Sequence, residues 1–202
     1  MHELLIATKN QGKLREIKQL LKGWDLKITS LADHPRFPEI IEDGDTFESN
    51  AVKKAVTVGK RSKTLVMGED SGLEVRALGG RPGIHSARFA AENGKNATDK
   101  KNNAKLLHLL KDVPDEKRQA RYRCCIALCD GDRVIDVVMG TCQGKIAWEE
   151  RGHNGFGYDP VFLAPRQNKT FGELPPEDKD RISHRARALQ KIKRSLRCYL
   201  ET

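Results

Sequence analysis

The sequence predicts an α/β fold built on a mixed β-sheet, and three observations carry that expectation. Short apolar runs alternate with helical periodicity in the early part of the chain. Two β-rich runs in the middle are joined by Asp130-Gly131-Asp132, a hairpin signal. An amphipathic helical pattern closes the chain. Alternating strands and helices favour parallel pairing, and the hairpin adds an antiparallel pair.

The elements follow in order. Glu3–Ala7 is a short apolar run and reads as the first strand. Polar Thr8-Lys9-Asn10-Gln11-Gly12 follows, then Leu14, Ile17, Leu20 and Leu21 recur at helical spacing up to a stop at Gly23. A second strand falls at Leu26–Leu31, and the stretch 32–44, with its prolines and acids, reads as loop. Asp45-Thr46-Phe47-Glu48 has the form of a capping box opening a helix that runs to about Arg61. Thr64–Gly68 is the next strand, with Glu69-Asp70-Ser71-Gly72 at its end. The glycine-dense Gly79-Gly80-Arg81-Pro82-Gly83 predicts a structured turn region. Thr98–Lys111 is helical, with Leu106, Leu107 and Leu110 inward. The hairpin pairs Ala120–Asp130 with Arg133–Thr141, and Val161–Ala164 supplies another strand. The last helix begins near Glu177 after two prolines and carries Ile182, Ala186, Leu189, Ile192 and Leu196 on one stripe.

A length of 202 residues suits a single domain spanning 1–202 that buries a real core. Hydrophobic content of 38% against 32% charged residues excludes a disordered chain. The N-terminal apolar stretch, Leu4–Ala7, is too short for a signal or membrane helix, so the expectation is a cytoplasmic protein with no membrane partner. A formal charge of +9 favours anionic partners, nucleotides or nucleic acid among them. Acids interleave with the bases, however, at Asp112–Arg118 and Glu177–Arg181, which a solvated surface also gives. The five cysteines lack zinc spacing and read as reduced thiols serving as small apolar groups.

Four segments have the residue types for chemistry, and each also has a plain structural reading. The loop before the first helix sets Asn10, Gly12 and Lys13 at a helix N-terminus, where exposed N–H groups and the dipole suit phosphate; any strand-to-helix turn looks alike. Asp70 follows an apolar strand, at the carboxyl end where α/β folds gather their sites. Glu69, Glu39, Glu42 and Asp43 offer further hard oxygen ligands of the kind Mg²⁺ takes; the alternative for Asp70 is a turn-capping role. Gly155-Phe156-Gly157-Tyr158-Asp159-Pro160 concentrates aromatics in a chain with only 5% of them. A ring there can stack on a base and Asp159 can accept from base N–H groups, or the glycines merely lead into a strand. His184 and Arg185 sit inside the last helical pattern, either on its surface or beside a cleft, and the Arg fork suits planar acceptors.

In this order the segments resemble the inosine triphosphate pyrophosphatase family, also called the dITP/XTP pyrophosphatases. The matches are Thr8-x-Asn10-x-x-Lys13, Thr46-Phe47-Glu48-x-Asn50-Ala51-x-x-Lys54-Ala55 and Asp70-Ser71-Gly72-Leu73. Ala77-Leu78-Gly79-Gly80-x-Pro82-Gly83-x-x-Ser86-Ala87-Arg88-Phe89, Gly155–Pro160 and Ser183-His184-Arg185-x-x-Ala188-Leu189 complete them. The resemblance implies a long mixed sheet with helices on both sides and two lobes flanking a nucleotide-binding cleft, usually in a homodimer. It also implies Mg²⁺-dependent hydrolysis of a non-standard purine nucleoside triphosphate to monophosphate and pyrophosphate. By the same resemblance Thr8, Lys9, Asn10, Gln11, Gly12 and Lys13 bind the triphosphate. Glu42 and Asp70 bind the metal, and Asp70 is also the general base. Lys54, Ser71, Phe156, Gly157, Tyr158, Asp159, Lys179, His184 and Arg185 meet the substrate. Asn50 and Lys54 stand four apart on one helix face and can point at one site. Ser49 stands where many members carry a second acid, and Asn154 where glycine is common. Two rivals are a nucleic-acid-binding protein, for which no binding module is recognisable, and a general nucleotide phosphatase or a pyrophosphatase acting on modified pyrimidines. The expected partner is therefore a small-molecule nucleotide and not stably bound nucleic acid.

Overall fold

The computed structural model describes residues 2–37, 40–91 and 96–201. The strands are β1 (His2–Ile6), β2 (Leu26–Ser30), β3 (Leu65–Val75), β4 (Gln119–Asp130), β5 (Arg133–Ile146) and β6 (Phe162–Leu163). The helices are α1 (Gln11–Leu20), α2 (Phe47–Ser62), α3 (Asp99–Leu109), α4 (Pro176–Ile182) and α5 (His184–Leu200). The strands form one sheet in the order β2-β1-β3-β4-β5-β6. β1 runs parallel to β2 and β3, whereas β6 is antiparallel to β5, so the sheet is mixed as expected. β4 and β5 are joined by Gly131-Asp132, and Gly131 takes the left-handed conformation (φ +58°) that such a turn requires.

The chain divides into two compact units that interleave along the sequence. The first comprises Met1–Asp70, Cys124–Gly140 and His184–Thr202, and the second Ser71–Arg123 and Thr141–Ser183. In the first unit, strand alternation sorts the helices. Leu4, Ile6, Leu65, Met67, Cys124, Ile126 and Leu128 form one buried cluster with Leu14 and Ile17 of α1 and with Ala188, Leu189, Ile192 and Leu196 of α5. Residues of opposite parity face α2. At Gly68 a side-chain Cβ would lie 2.2 Å from the Ala51 carbonyl oxygen and 2.9 Å from Ala55 Cβ, so glycine lets helix and strand touch. Helices therefore cover both faces of this part of the sheet. Gly140 gives α5 the same close approach, because a Cβ there would meet the His184 carbonyl at 2.1 Å.

The second unit packs Leu73 and Val75 of β3, Leu106 and Leu110, Tyr122, Cys142 and Ile146 with Phe162 and Phe171. Arg118 is fully buried in this unit and its guanidinium is enclosed by main-chain carbonyls. Nε donates to Ile146 (2.9 Å), Nη1 to Leu110 (2.6 Å) and Val113 (3.3 Å), and Nη2 to Ala147 (2.8 Å). The Trp148 ring lies 4.1 Å from the Arg118 Cζ.

Four sequence expectations are corrected. The strand expected to end at Gly68 continues to Val75, so Glu69-Asp70-Ser71-Gly72 is strand and not a terminus. Its composition favours a turn, but β3 runs on past its Leu65–Met67 register with β1, and its other sheet neighbour, β4, holds it extended. The capping box lies one residue later than expected: Thr46 Oγ1 accepts from Ser49 N (3.0 Å), and Ser49 Oγ accepts from Thr46 N (3.1 Å). The last helix is two helices, parted at Ser183, whose backbone is extended (φ −67°, ψ 159°) as suits a serine entering a helix. Ile182 consequently leaves the α5 stripe and packs beside the core of the second unit. The strand expected at Val161–Ala164 shrinks to β6, because Asp159–Val161 forms a single 3₁₀ turn that ends at Phe162. Among the described residues, no helix is long and apolar enough to cross a membrane.

Candidate active site

The extension of β3 decides the chemistry of the first unit. Successive strand residues point to opposite faces, so Glu69 shares the parity of Leu65 and Met67, which face α1 and α5. Asp70 shares the parity of Gly68, which faces α2. One dipeptide thereby recruits three helices.

On the first face, Glu69 is fully buried, with Oε2 2.9 Å from Lys13 Nζ and Oε1 accepting from Arg185 Nη2 at 3.0 Å. Cys124 Sγ lies 3.3 Å from Oε1, and Arg185 also donates to Glu16. Burial alone would raise the Glu69 carboxyl, but the Arg185, Lys13 and Lys54 charges outweigh it and hold the group well below its ordinary range. The same balance acts on Lys13, where burial is overcome by Glu69 and Asp70 and the ammonium is held above its usual value. Lys13 belongs to the first turn of α1, whose N-cap Asn10 accepts from Lys13 N at 3.0 Å. Asn10 N in turn donates to Thr8 Oγ1 (3.1 Å), so Thr8, Asn10 and Lys13 form one ordered turn. Lys9, Asn10 and Gln11 are exposed, where a helix N-terminus can receive an anion.

On the second face, Asp70 is 4% exposed. It accepts from Asn50 Nδ2 (3.2 Å) and Lys54 Nζ (3.1 Å), and these two α2 residues converge on one carboxylate as their spacing predicts. Lys54 Nζ also donates to the Glu69 carbonyl (2.9 Å) and lies 3.0 Å from Glu42 Oε1. Two residues on, Gly44 N–H donates to Asn50 Oδ1 (2.8 Å), and its Cβ position is filled by Ser49 and Asn50. Burial raises the Asp70 carboxyl above its ordinary value, helped by Glu42 and Glu69 against Lys54 and Lys13. Asp43 is exposed and paired with Lys53, and Glu39 lies outside the described residues. Among the described residues no three acid, His or Cys side chains converge as a ready-made cation cage. Glu42 and Asp70, hard oxygen donors joined through Lys54, are the pair that could hold a cation together with oxygens of a substrate.

In the second unit, Gly155–Asp159 folds around its own carboxylate. Phe156 N donates to Asp159 Oδ2 at 2.9 Å, and the left-handed Gly155 leaves the space in which Asp159 sits. Lys179, buried on α4, donates to the same oxygen and stands 5.1 Å from the Phe156 ring centre. Tyr158 turns into the core and its hydroxyl donates to the Ser86 carbonyl (2.8 Å). Burial pushes that phenol up, with Asp99 adding to the effect. Phe156, half-buried, is therefore the ring placed to stack on a planar ligand. Ser71 follows Asp70 as a half-buried strand residue, and His184 is buried at the start of α5.

Within the first unit the structure brings together Lys13, Glu42, Lys54, Asp70 and Arg185. Within the second it brings together Phe156, Gly157, Asp159 and Lys179. Sequence reading missed that Glu69 is the buried anion tying α1 to α5, and that Glu16 shares Arg185. The only local signal was Glu69 standing beside Asp70.

Comparison with known proteins identifies the family of the chain. The model of the Ham1 family matches residues 4–195. A dITP/XTP pyrophosphatase of Geobacillus kaustophilus is 50% identical over 192 residues, which cover 95% of this chain and 93% of that protein. A dITP/XTP pyrophosphatase of Desulforamulus reducens is 47% identical, covering 94% and 92%. A solved HAM1 protein from Coxiella burnetii superposes with a TM-score of 0.84 at 37% identity, covering 97% of this chain and 98% of that one. The Staphylococcus aureus Ham1 protein gives 0.81 at 40% identity, with 98% of each chain covered. With one family model over nearly its whole length and relatives at half identity, the chain belongs to the Ham1 family.

Proposed function

We propose that residues 1–202 act as one pyrophosphatase domain that hydrolyses non-standard purine nucleoside triphosphates such as dITP and XTP. The products are the nucleoside monophosphate and pyrophosphate, and the effect is to keep damaged purines out of nucleic acid. The observation that carries this reading is the buried cluster in which Asp70 is gripped by Asn50 and Lys54, with Glu42 on the same lysine. A single carboxylate oriented by an amide and an ammonium can hold and accept a proton from an attacking water. The names of the relatives, dITP/XTP pyrophosphatases, support the substrate class.

Mg²⁺ is the cofactor we assign, because Glu42 and Asp70, two hard carboxylates that share Lys54, suit an ion that keeps several waters and binds through one or two carboxylates and phosphate. Glu42 and Asp70 would hold it, and when bound it would supply positive charge against phosphate oxygens and lower the pKa of a coordinated water. The protein's own groups do the rest. The turn into α1, Thr8 to Gly12, receives the triphosphate, and Lys13, Lys54 and Lys179 offset its charge. Ser71, His184 and Arg185 contact the nucleotide, and Arg185, which only donates, selects an oxygen at purine C6 over the amino group of adenine. Phe156 stacks on the base, and Gly157 to Asp159 form its wall. The protein works in the cytoplasm as a homodimer, which sedimentation of the purified protein checks.

Phosphorus NMR or pyrophosphate detection across dITP, XTP, dATP, dGTP and dUTP tests the reading. One-step release of pyrophosphate from dITP and XTP, well above the other substrates, is the expected result. Stepwise appearance of dIDP and orthophosphate rejects it.

A further inference from the structure

Gly157 lies in the middle of the aromatic loop and is held on both sides of its α-carbon by α3. Its N–H donates to Asp99 Oδ2 at 2.7 Å, and its carbonyl accepts from Asn103 Nδ2 at 3.1 Å. Asp99 and Asn103 are four apart, so they share one face of the helix and grip one residue from a single turn. Gly157 has φ +64°, a left-handed conformation in which its two peptide planes are easily turned. Fixing the donor and the acceptor at once fixes both planes, and with them the directions of Phe156 before it and of Tyr158 and Asp159 after it.

Asn103 adds a second, independent observation. It is 2% exposed, and its Oδ1 has no hydrogen-bond partner among the described residues. An orphaned buried acceptor is costly, and a leucine would fill the same space without that cost. The amide orientation is fixed by its partner, since the reverse would set carbonyl against carbonyl. The cost is offset by what the other end of the amide does, which is to hold Gly157. The same helix also fixes the neighbouring Gly83–Arg88 segment: Asn102 donates to the Ala87 carbonyl (3.2 Å) and accepts from Ala90 N (2.8 Å).

We propose that Asp99 and Asn103 are positioning residues for base recognition, and that the first turns of α3 aim Phe156 and Asp159 at the purine without touching it. The proposal rests on the assignment of the Phe156–Asp159 loop to the base. Removing either grip frees the Gly157 peptide and weakens base binding more than it slows chemistry.

The test uses the full-length protein and the variants Asp99→Ala, Asp99→Asn and Asn103→Leu. It reads kcat and KM for dITP and dGTP, inosine monophosphate affinity by calorimetry, and Tm. Losing one hydrogen bond to a carboxylate corresponds to about a tenfold change in an equilibrium constant. Asp99→Ala is expected to raise KM for dITP and the Kd for inosine monophosphate about tenfold, with kcat changing far less and the dITP/dGTP preference narrowing. Asp99→Asn keeps an acceptor for Gly157 N and restores most of the affinity. Asn103→Leu gives the same KM-weighted loss while keeping or raising Tm. Unchanged inosine monophosphate affinity and preference in both Asp99→Ala and Asn103→Leu overturns the proposal, as does a loss that falls on kcat alone. If the unsubstituted protein itself neither binds inosine monophosphate nor cleaves dITP, the reading of the whole site fails, which is distinct from a failure of α3.

Discussion

Replacing Glu69 by glutamine removes one charge and almost no volume from the first unit. The carboxylate stands 2.9 Å from Lys13 Nζ and 3.0 Å from Arg185 Nη2, all three side chains being largely or fully buried. Without it, two cations share a buried site with less anionic charge to face them. Breaking a buried pair by removing one partner costs about 3–5 kcal/mol, and the glutamine oxygen still accepts one hydrogen bond, which points to the lower end. Stability for a domain of this size is about 5–15 kcal/mol, and each kcal/mol moves Tm by roughly 2–4 °C. Glu69→Gln should therefore lower Tm by roughly 6–12 °C, read by circular dichroism in the presence of a chelator. The pH dependence has a definite sign. The Glu69 carboxyl is held below its ordinary value of 4.5, so its contribution is present at neutral pH and is lost as pH falls through the depressed value. The gap in Tm between the two proteins should accordingly close on acidification from neutrality to below pH 4.5. A fall in Tm of less than about 2 °C at neutral pH refutes the assignment of Glu69 as the anion that binds α1 and α5 together.

Other substitutions probe the neighbouring parts. Asp70→Asn should lower turnover by at least about 10²-fold, and near-normal turnover at saturating Mg²⁺ removes Asp70 from proton transfer. Because Asp70 is buried and accepts from both Asn50 and Lys54, the same change should also cost about 1–3 kcal/mol in urea unfolding. Arg185→Ala should narrow the ratio of kcat/KM for dITP over dATP; an unchanged ratio with a lowered Tm makes Arg185 a framework partner of Glu16 and Glu69 instead. Gly68→Ala sets a methyl 2.2 Å from the Ala51 carbonyl and forces β3 and α2 apart, at about 1–3 kcal/mol or more in the urea midpoint. A neutral Gly68→Ala contradicts the close contact.

Much of the fold was legible because it rests on local patterns. The α1 stripe of Leu14 and Ile17, the Asp130-Gly131-Asp132 turn and the Thr98 start of α3 are short-range signals that the structure keeps. Where the pattern allowed two registers, sequence chose the wrong one: Asp45/Glu48 and Thr46/Ser49 both offer an oxygen followed three residues later by a polar side chain. Glu69-Asp70-Ser71-Gly72 has the composition of a strand end, and it is extended because of its neighbours in the sheet, which distant residues set. The site divides the same way. Asn50 and Lys54 were legible from helical spacing alone. Glu69 binding Arg185, 116 positions later, was not, since an ion pair closed by tertiary packing leaves no periodicity to read.

Arg118 carries an implication of another kind. Its guanidinium is solvated by the polypeptide itself, four bonds to main-chain carbonyls taking the place of a hydration shell. Those dipoles belong to the chain and do not exchange with the medium, so dissolved ions have little to displace or screen. An exposed pair such as Lys53–Asp43 should fade in molar salt, while the Arg118 cage should lose nothing. Lysine cannot inherit the position, because a compact ammonium has neither the span nor the fixed directions to meet carbonyls of Leu110, Ile146 and Ala147 at once. The second unit thus holds one cation whose solvent was written into its own sequence.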